Sequence, residues 1–492
     1  MLRTIFRGVL IGAALLVVLL VALLVALQPP RPLRVPQQGV TLADVTVVNP
    51  GSGRRAHQTI HAAASIIESI TDYSPITDTA PDARRYAGSH VLPGLIDMHV
   101  HHPLARLPTD IKLFDVLHLA YGVTTVRDCG SIDGSILDIR AQVAAGEFAG
   151  PRIFACGPLI DGDPPFWPGA KVAHNAEDGQ RVVDEAAASG VNCIKAYSNL
   201  SSDALRGVRA AAIRHHLTLV GHVPIAVPFE EARIDDVQHL TGVPGMNKRS
   251  AESGLIGALL NGWDTIDDAR IDFVVRTSIE QHISHTPTLV VIQQLFRLQN
   301  YSSLLEDPVA RLLPRYYREL IWKPGGMVSW SVPAFESAVS EKMLQNFRRV
   351  VRRLHEAGVT LHVGTDTFNP FVVPGVSMHE ELRNFVECGF TPEEAWEAAT
   401  RRNAEALAEP GLGVLGPGTP ADLLVFGEDP THDLAALSTL QAVIANGRFY
   451  PKRLLDDTVA RYRDYFGSWL YDRLTMLVFP WFADSSQSGK AE

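Results

Sequence analysis

The sequence predicts an α/β protein: a (β/α)8 TIM barrel, a small β-sandwich domain formed from both chain ends, and a transmembrane helix at the amino terminus. Three observations predict it. Eight apolar, strand-like runs alternate with helical patterns between Pro93 and Leu407. Short strand-like segments bounded by turn residues lie on either side of that stretch. Gly8 to Leu27 runs without a charge for about 20 residues, long enough to cross a bilayer as a helix.

Taken in order, residues 1–28 read as a membrane anchor. Arg3 and Arg7 precede the apolar run, and positive residues stay on the cytoplasmic side, which places the rest of the chain on the extracytoplasmic side. A cleaved signal peptide is the competing reading, but its apolar core is usually about 7–15 residues and ends in a small-x-small site. Residues 29–37 form a stiff Pro-rich linker. Residues 38–92 and 408–455 supply the small β-domain: Val40–Val48 and His57–Ile67 at one end, Asp422–Phe426 and Ala442–Ala445 at the other.

Residues 93–407 supply the barrel. Its strands are expected at Leu95–Val100, Thr124–Arg127, Arg152–Ala155, Val191–Lys195, Leu217–Gly221, Asp236–His239, Thr286–Val291 and Thr360–Gly364. A long insertion, Gln293 to about Glu341, carries Tyr301, Tyr316, Tyr317, Trp322 and Trp330, and suits a lid or a self-packed helical unit equally. Residues 456–492 end in an apolar, aromatic-rich amphipathic segment. It suits a second membrane contact, or packing on the barrel or in a homo-oligomer interface.

Composition narrows the partners. The 492 residues are 46% hydrophobic and 20% charged, which suits a sizeable core and argues against wholesale disorder. The net charge of −10 leaves no basic stripe for nucleic acid. Four cysteines show no C-x-x-C spacing; Cys129, Cys156 and Cys193 fall in or just after apolar runs and read as small buried hydrophobes.

The chemistry is written at the strand ends. In Leu95-Ile96-Asp97-Met98-His99-Val100-His101, alternate side chains share a face, so His99 and His101 converge. Two imidazoles from one strand end supply half of a tetrahedral zinc shell, although a metal-free hydrogen-bonded pair is the bland alternative. Lys195, His222, His239 and Asp366 end four other candidate strands. A buried ammonium is costly unless paired or chemically changed, so Lys195 invites a functional account. Catalytic chemistry in such barrels gathers at the carboxyl ends of the strands. Tyr197 and His285 are weaker candidates for substrate contact, and Arg127 with Asp128 suits a structural ion pair.

At this point the sequence resembles the amidohydrolase superfamily, particularly its imidazolonepropionase-like and prolidase-like members. The matching pieces are VLPGLIDMHVH (Val91–His101), YGVTTVRDCG (Tyr121–Gly130), GPRIFACGP (Gly150–Pro158), NCIKAYSNLSSDAL (Asn192–Leu205), VGHVP (Val220–Pro224), QHLTG (Gln238–Gly242), HVGTDT (His362–Thr367) and LGVLGPGTPADLLVF (Leu412–Phe426). The resemblance implies that His99 and His101 bind a more buried metal and that His222 and His239 bind a more exposed one. It implies that Lys195, N-carboxylated by carbon dioxide, bridges two Zn2+ ions, with a single metal as the alternative, and that Asp366 touches the buried metal. The implied activity is hydrolysis of a C–N bond in an amide, dipeptide or cyclic amide by a metal-bound hydroxide, with Asp366 as catalytic base and then acid. A lactone or phosphoester hydrolase on the same site, or an inactive membrane-tethered binding protein, are the rival readings for a small-molecule site of this kind.

Overall fold

A computed structural model describes residues 27–75, 83–86, 88–131, 133–167, 169–245, 254–325 and 335–487, together with Phe6, Val17 and Val25. The two ends of the chain meet in one sheet. Its strands run in the order Arg448–Pro451, Leu440–Ala445, Leu423–Phe426, His90–Pro93, Val40–Asn49, Gly53–Ala63, Ile66–Asp72, with Ala83–Arg85 paired to Val40–Asn49. The join is antiparallel, Leu423 opposite Pro93 and Phe426 opposite His90. β-branched and aliphatic residues on one face, among them Leu42, Val45, Val47, Ile60, Leu423, Val425 and Ile444, form its own core. The side chain of Asn49 clasps the return segment, donating to Leu415 O at 2.9 Å and accepting from Leu415 N at 2.7 Å. The two-sheet sandwich expected from the sequence is thus one continuous sheet.

The single eight-stranded barrel also needs correction. The parallel strands fall into two hydrogen-bonded sheets: Leu95–Val100, Val123–Asp128 and Arg152–Ala155 in one, and Lys171–Val172, Leu159–Asp161, Cys193–Ala196, Thr218–Gly221, Asp236–Gln238 and Ser284–Thr286 in the other. The eighth strand expected at Thr360–Gly364 makes only isolated bridges, Leu361 to His285 and, further on, Thr367 to Val100. The cause is local. A Cβ on Gly364 would lie 2.8 Å from His99 N, and Asp366 takes a left-handed φ of 60°, so this segment leaves the extended conformation as it crosses beneath His99.

The seventh strand ends earlier than expected. Ser284–Thr286 is extended, but Leu289–Arg297 is a helix. The buried carboxylate of Glu381 accepts from both Leu289 N and Val290 N at 2.7 Å, capping the helix that this apolar run forms. The cysteine expectation fails for one pair: Cys156 and Cys193 form a disulfide, while Cys129 and Cys388 are free and buried. The expected Arg127–Asp128 ion pair is absent as well. Arg127 instead pairs with Asp236, and Asp128 receives His102.

Among the described residues no helix is long and apolar enough to cross a membrane. This corrects the expected single-pass anchor and, with it, the extracytoplasmic placement. The Gly8–Leu27 run on which both rested lies, apart from Val17, Val25 and Leu27, outside the described residues. At the other end, Lys452–Phe466 and Trp469–Gln487 are helices, the first packed on the helix Pro108–Ala120.

Buried histidines give the fold a pH signature. His379, on the helix Val376–Glu387, donates to Tyr121 O at 2.8 Å, and burial lowers its pKa to about 4. The unfolded chain therefore binds the proton first as pH falls below about 6.5, and stability is lost in that direction. Taking the protein from pH 7 to pH 5 will cost about 2 kcal/mol through this group alone. Urea unfolding of wild type and His379→Gln at the two pH values checks it; equal pH dependence in both would refute the assignment.

Candidate active site

The predicted side chains approach one another from separate segments. His99 and His101 leave the strand Leu95–Val100 on one face, with their Nε2 atoms 3.2 Å apart. Asp366 Oδ1 lies 3.3 Å from His99 Nε2 and 3.2 Å from His101 Nε2. These three offer ligand atoms all within 4.8 Å of one another. His239 Nε2 stands 3.7 Å from Asp366 Oδ2. The rings of His99 and His239 are 4.8 Å apart, and those of His222 and His239 are 5.0 Å apart, so the four imidazoles form a continuous chain. Lys195 is fully buried, donates to the side-chain oxygen of Gln238 and lines the same cavity as His101, His222, His239 and Asp366.

Protonation follows from the anchoring bonds. His101 Nδ1 faces Gly130 O at 3.0 Å, which accepts only, so Nδ1 carries the hydrogen. Thr288 gives its own hydrogen to Pro287 O at 2.8 Å, leaving a lone pair for His239 Nδ1–H at 2.6 Å. His222 Nδ1 meets Ser198 Oγ at 2.7 Å. His239 therefore turns an Nε2 lone pair inward; at His101 burial opposes a second proton, but Asp366 beside Nε2 holds the pKa above the ordinary value, so its lone pair faces inward in the neutral ring only. Burial drives the pKa values of His99 and His222 well below the ordinary range and that of His239 down to about 4, so these rings are neutral at pH 7. Burial also lowers Lys195 to about 8. It opposes ionisation of Asp366 too, yet the fields of His239, His101 and Lys195 hold that carboxyl below its ordinary value.

This donor set fits a metal ion. His99 Nε2, His101 Nε2 and Asp366 Oδ1 face one another at 3.2–3.3 Å, and a divalent cation among them would take a lone pair from each.

Four neighbours escaped the sequence reading. Asp97 Oδ1 accepts from His99 N at 3.1 Å and Thr365 N at 2.9 Å, and Oδ2 accepts from Thr365 Oγ1 at 2.7 Å. One carboxylate thus locks the strand carrying His99 to the segment carrying Asp366. The signal was present, since Asp97 stands two residues before His99 on the same strand face. Gln238, next to His239, caps Lys195. Ser198 and Thr288, which orient two rings, lie in loops with no pattern to find them. Of the weaker candidates, Tyr197 lines the cavity and stacks on His222 at 4.3 Å. His285 does not reach it: its Nε2 bonds Ser278 Oγ at 2.9 Å and its ring lies parallel to Phe229. From the insertion, Tyr316 and Tyr317 donate to the buried Asp110, and Trp322 Nε1 donates to Phe368 O at 3.2 Å, bracing the wall next to Asp366. Trp330 lies outside the described residues.

The α/β fold thus presents, at the ends of its parallel strands, a histidine–carboxylate cluster that could hold a metal ion. The model of the amidohydrolase family matches residues 90–449, and the chain belongs to that family. Among curated proteins it is similar to an imidazolonepropionase from Deinococcus deserti, 42% identical over 85 residues, 17% of this chain and 21% of that relative. It is also similar to one from Anaeromyxobacter sp. (strain K), 37% identical over 105 residues, 20% and 24% respectively. The matched stretches thus span less than a quarter of these relatives. Among solved structures, a bottromycin amidohydrolase superposes with a TM-score of 0.66 at 21% identity, covering 91% of this chain and 93% of that one. A Xaa-Pro dipeptidase with bound methionine in the active site gives 0.61 at 19% identity, covering 84% and 100%. At such identities the likeness is one of fold.

Proposed function

We propose that this protein hydrolyses a carbon–nitrogen bond, in an amide, dipeptide or cyclic amide, using divalent metal of zinc type. His99, His101 and Asp366 would hold one ion, and His222 and His239 a second, with Lys195 as an N-carboxylated bridge. The observation that carries this reading is the cluster of two Nε2 atoms and Asp366 Oδ1 within 3.3 Å contacts, with His101 and Asp366 lining the cavity and His99 buried behind them. Burial of Lys195 beside the same cavity supports the carbamate, because carboxylation replaces a disfavoured buried cation with an anion suited to two dications.

When bound, such a metal lowers the pKa of water toward about 7 and polarises a substrate carbonyl. The chain's own groups do the rest. Asp366, ionised at neutral pH, accepts the nucleophile's proton and delivers it to the departing nitrogen. Tyr197, stacked on His222, and Trp167, whose Nε1 donates to Tyr197 Oη at 2.9 Å, form one wall against which the substrate is oriented.

Metal content measured together with turnover of a panel of amides, dipeptides and cyclic amides tests this. Release of free amine that is lost on chelation and restored by zinc is the expected result; a protein with no stoichiometric metal and no rescue by zinc would remove the proposal. A second expectation concerns orientation. Ser198→Ala removes the partner of His222 Nδ1 and will weaken zinc affinity by about 10–100-fold, read by competition with a chromogenic chelator. Unchanged affinity would free His222 of any ligand role.

A further inference from the structure

A carboxylate outside the metal cluster reaches one of its imidazoles through the backbone. Asp128 ends the strand Val123–Asp128 and is paired in register with Val100, at the end of the strand that carries His99 and leads into His101. Its Oδ1 accepts from Gly130 N at 3.1 Å, and Gly130 O is the acceptor that fixes His101 Nδ1–H at 3.0 Å. Gly130 has a φ of 136°, open to glycine and rarely to other residues, so the turn that aims this carbonyl depends on what holds it. The other carboxylate oxygen, Oδ2, is tied to His102. It accepts from His102 N at 2.9 Å and from the ring Nδ1 at 3.0 Å. The far ring nitrogen, Nε2, meets Asp115 Oδ1 at 3.2 Å, on the helix Pro108–Ala120. The His102 side chain is 4% exposed and both carboxylates are fully buried.

Burying three ionisable side chains is costly even when they are hydrogen-bonded to one another, and apolar residues of similar volume often serve stability as well. The arrangement therefore calls for a role beyond packing. A metal-binding imidazole is aimed by the bond its other nitrogen makes, because that bond sets the rotation of the ring and hence the direction of the Nε2 lone pair. We infer that His102 and Asp128 are positioning residues for His101. The ring of His102 holds Asp128, Asp128 holds the turn at Gly130, and the Gly130 carbonyl sets the direction in which His101 presents Nε2 to the ion. Asp115 anchors the far edge of the ring, on the side away from Asp128. The inference rests on the metal reading of the cluster and extends it to groups that do not touch the ion.

Two substitutions at one position separate aiming from packing. Asn places its side-chain nitrogen where the imidazole has Nδ1, so it keeps the donor to Asp128 and loses the one to Asp115; Gln places its nitrogen near Nε2 and does the reverse. Zinc affinity is read by competition with a chromogenic chelator, the geometry of the site by the visible absorption of the cobalt-loaded protein, and the fold by urea unfolding. His102→Gln will weaken zinc binding about 10–100-fold and alter the cobalt bands, whereas His102→Asn rescues affinity to within about threefold of wild type, although both variants lose stability. In Asp128→Asn no orientation of the amide serves every donor, because both carboxylate oxygens accept, and zinc binding will fall at least tenfold. Equal losses of affinity in the two His102 variants, or unchanged affinity in Asp128→Asn, would assign these residues to packing and overturn the inference while leaving the metal reading in place. If neither His102 variant folds, Asp128→Asn decides alone. A wild type that takes up no zinc ends both the inference and the metal reading.

Discussion

Asp366→Asn will fold normally and lose activity by a factor of roughly 10²–10⁴ in kcat, the range typical of removing a positioned general base. The amide keeps the shape of the carboxylate but neither its charge nor its proton affinity. The backbone bond from Asp366 N to His99 O at 2.7 Å does not involve the side chain, so the left-handed turn at 366 survives. The proposed metal site would weaken too, because one of three converging donors loses its charge. Zinc stoichiometry and kcat measured together separate the two losses: full metal occupancy with kcat down a hundredfold isolates the proton transfer. Near-normal kcat would take Asp366 out of the mechanism.

The largest expected effect on stability lies behind the site. Arg127, on the strand Val123–Asp128, is buried, donates through Nε to Met98 O at 2.8 Å and pairs with Asp236 on the strand Asp236–Gln238. Thr286 Oγ1 adds a bond to Asp236 Oδ2 at 2.8 Å. The pair therefore crosses from one parallel sheet to the other. Burying two charges yields little net stability, but removing one partner strands the other. Asp236→Asn will cost about 3–5 kcal/mol by urea unfolding. The double variant Arg127→Met/Asp236→Leu will recover much of that loss, and a single variant within about 1 kcal/mol of wild type would show the pair to be dispensable.

Much of the site was legible because strand periodicity is local. His99 and His101 two residues apart had to share a face, and Lys195, His222 and His239 each followed an apolar run of strand length. What was not legible depends on where distant backbones pass. The segment at 360–367 looks like a strand by composition, yet the close approach of Gly364 to His99 and the turn at Asp366 keep it from pairing as one. The apolar run after Pro287 looked like more strand, but the Glu381 carboxylate, 92 residues away from Leu289, turns it into a helix. The Cys156–Cys193 bond has the same character: nothing in either neighbourhood names the partner.

The shared sheet has a consequence for how the protein is made. While the chain is still on the ribosome, Val40–Asn49 and His90–Pro93 exist long before Leu423–Phe426 has emerged to pair with them. Until then His90–Pro93 presents a bare apolar edge, the kind of surface that recruits other nascent chains. Synthesis arrested before residue 423 should thus yield a protease-sensitive, aggregation-prone product, and shielding of that edge by a chaperone should matter more during translation than afterwards.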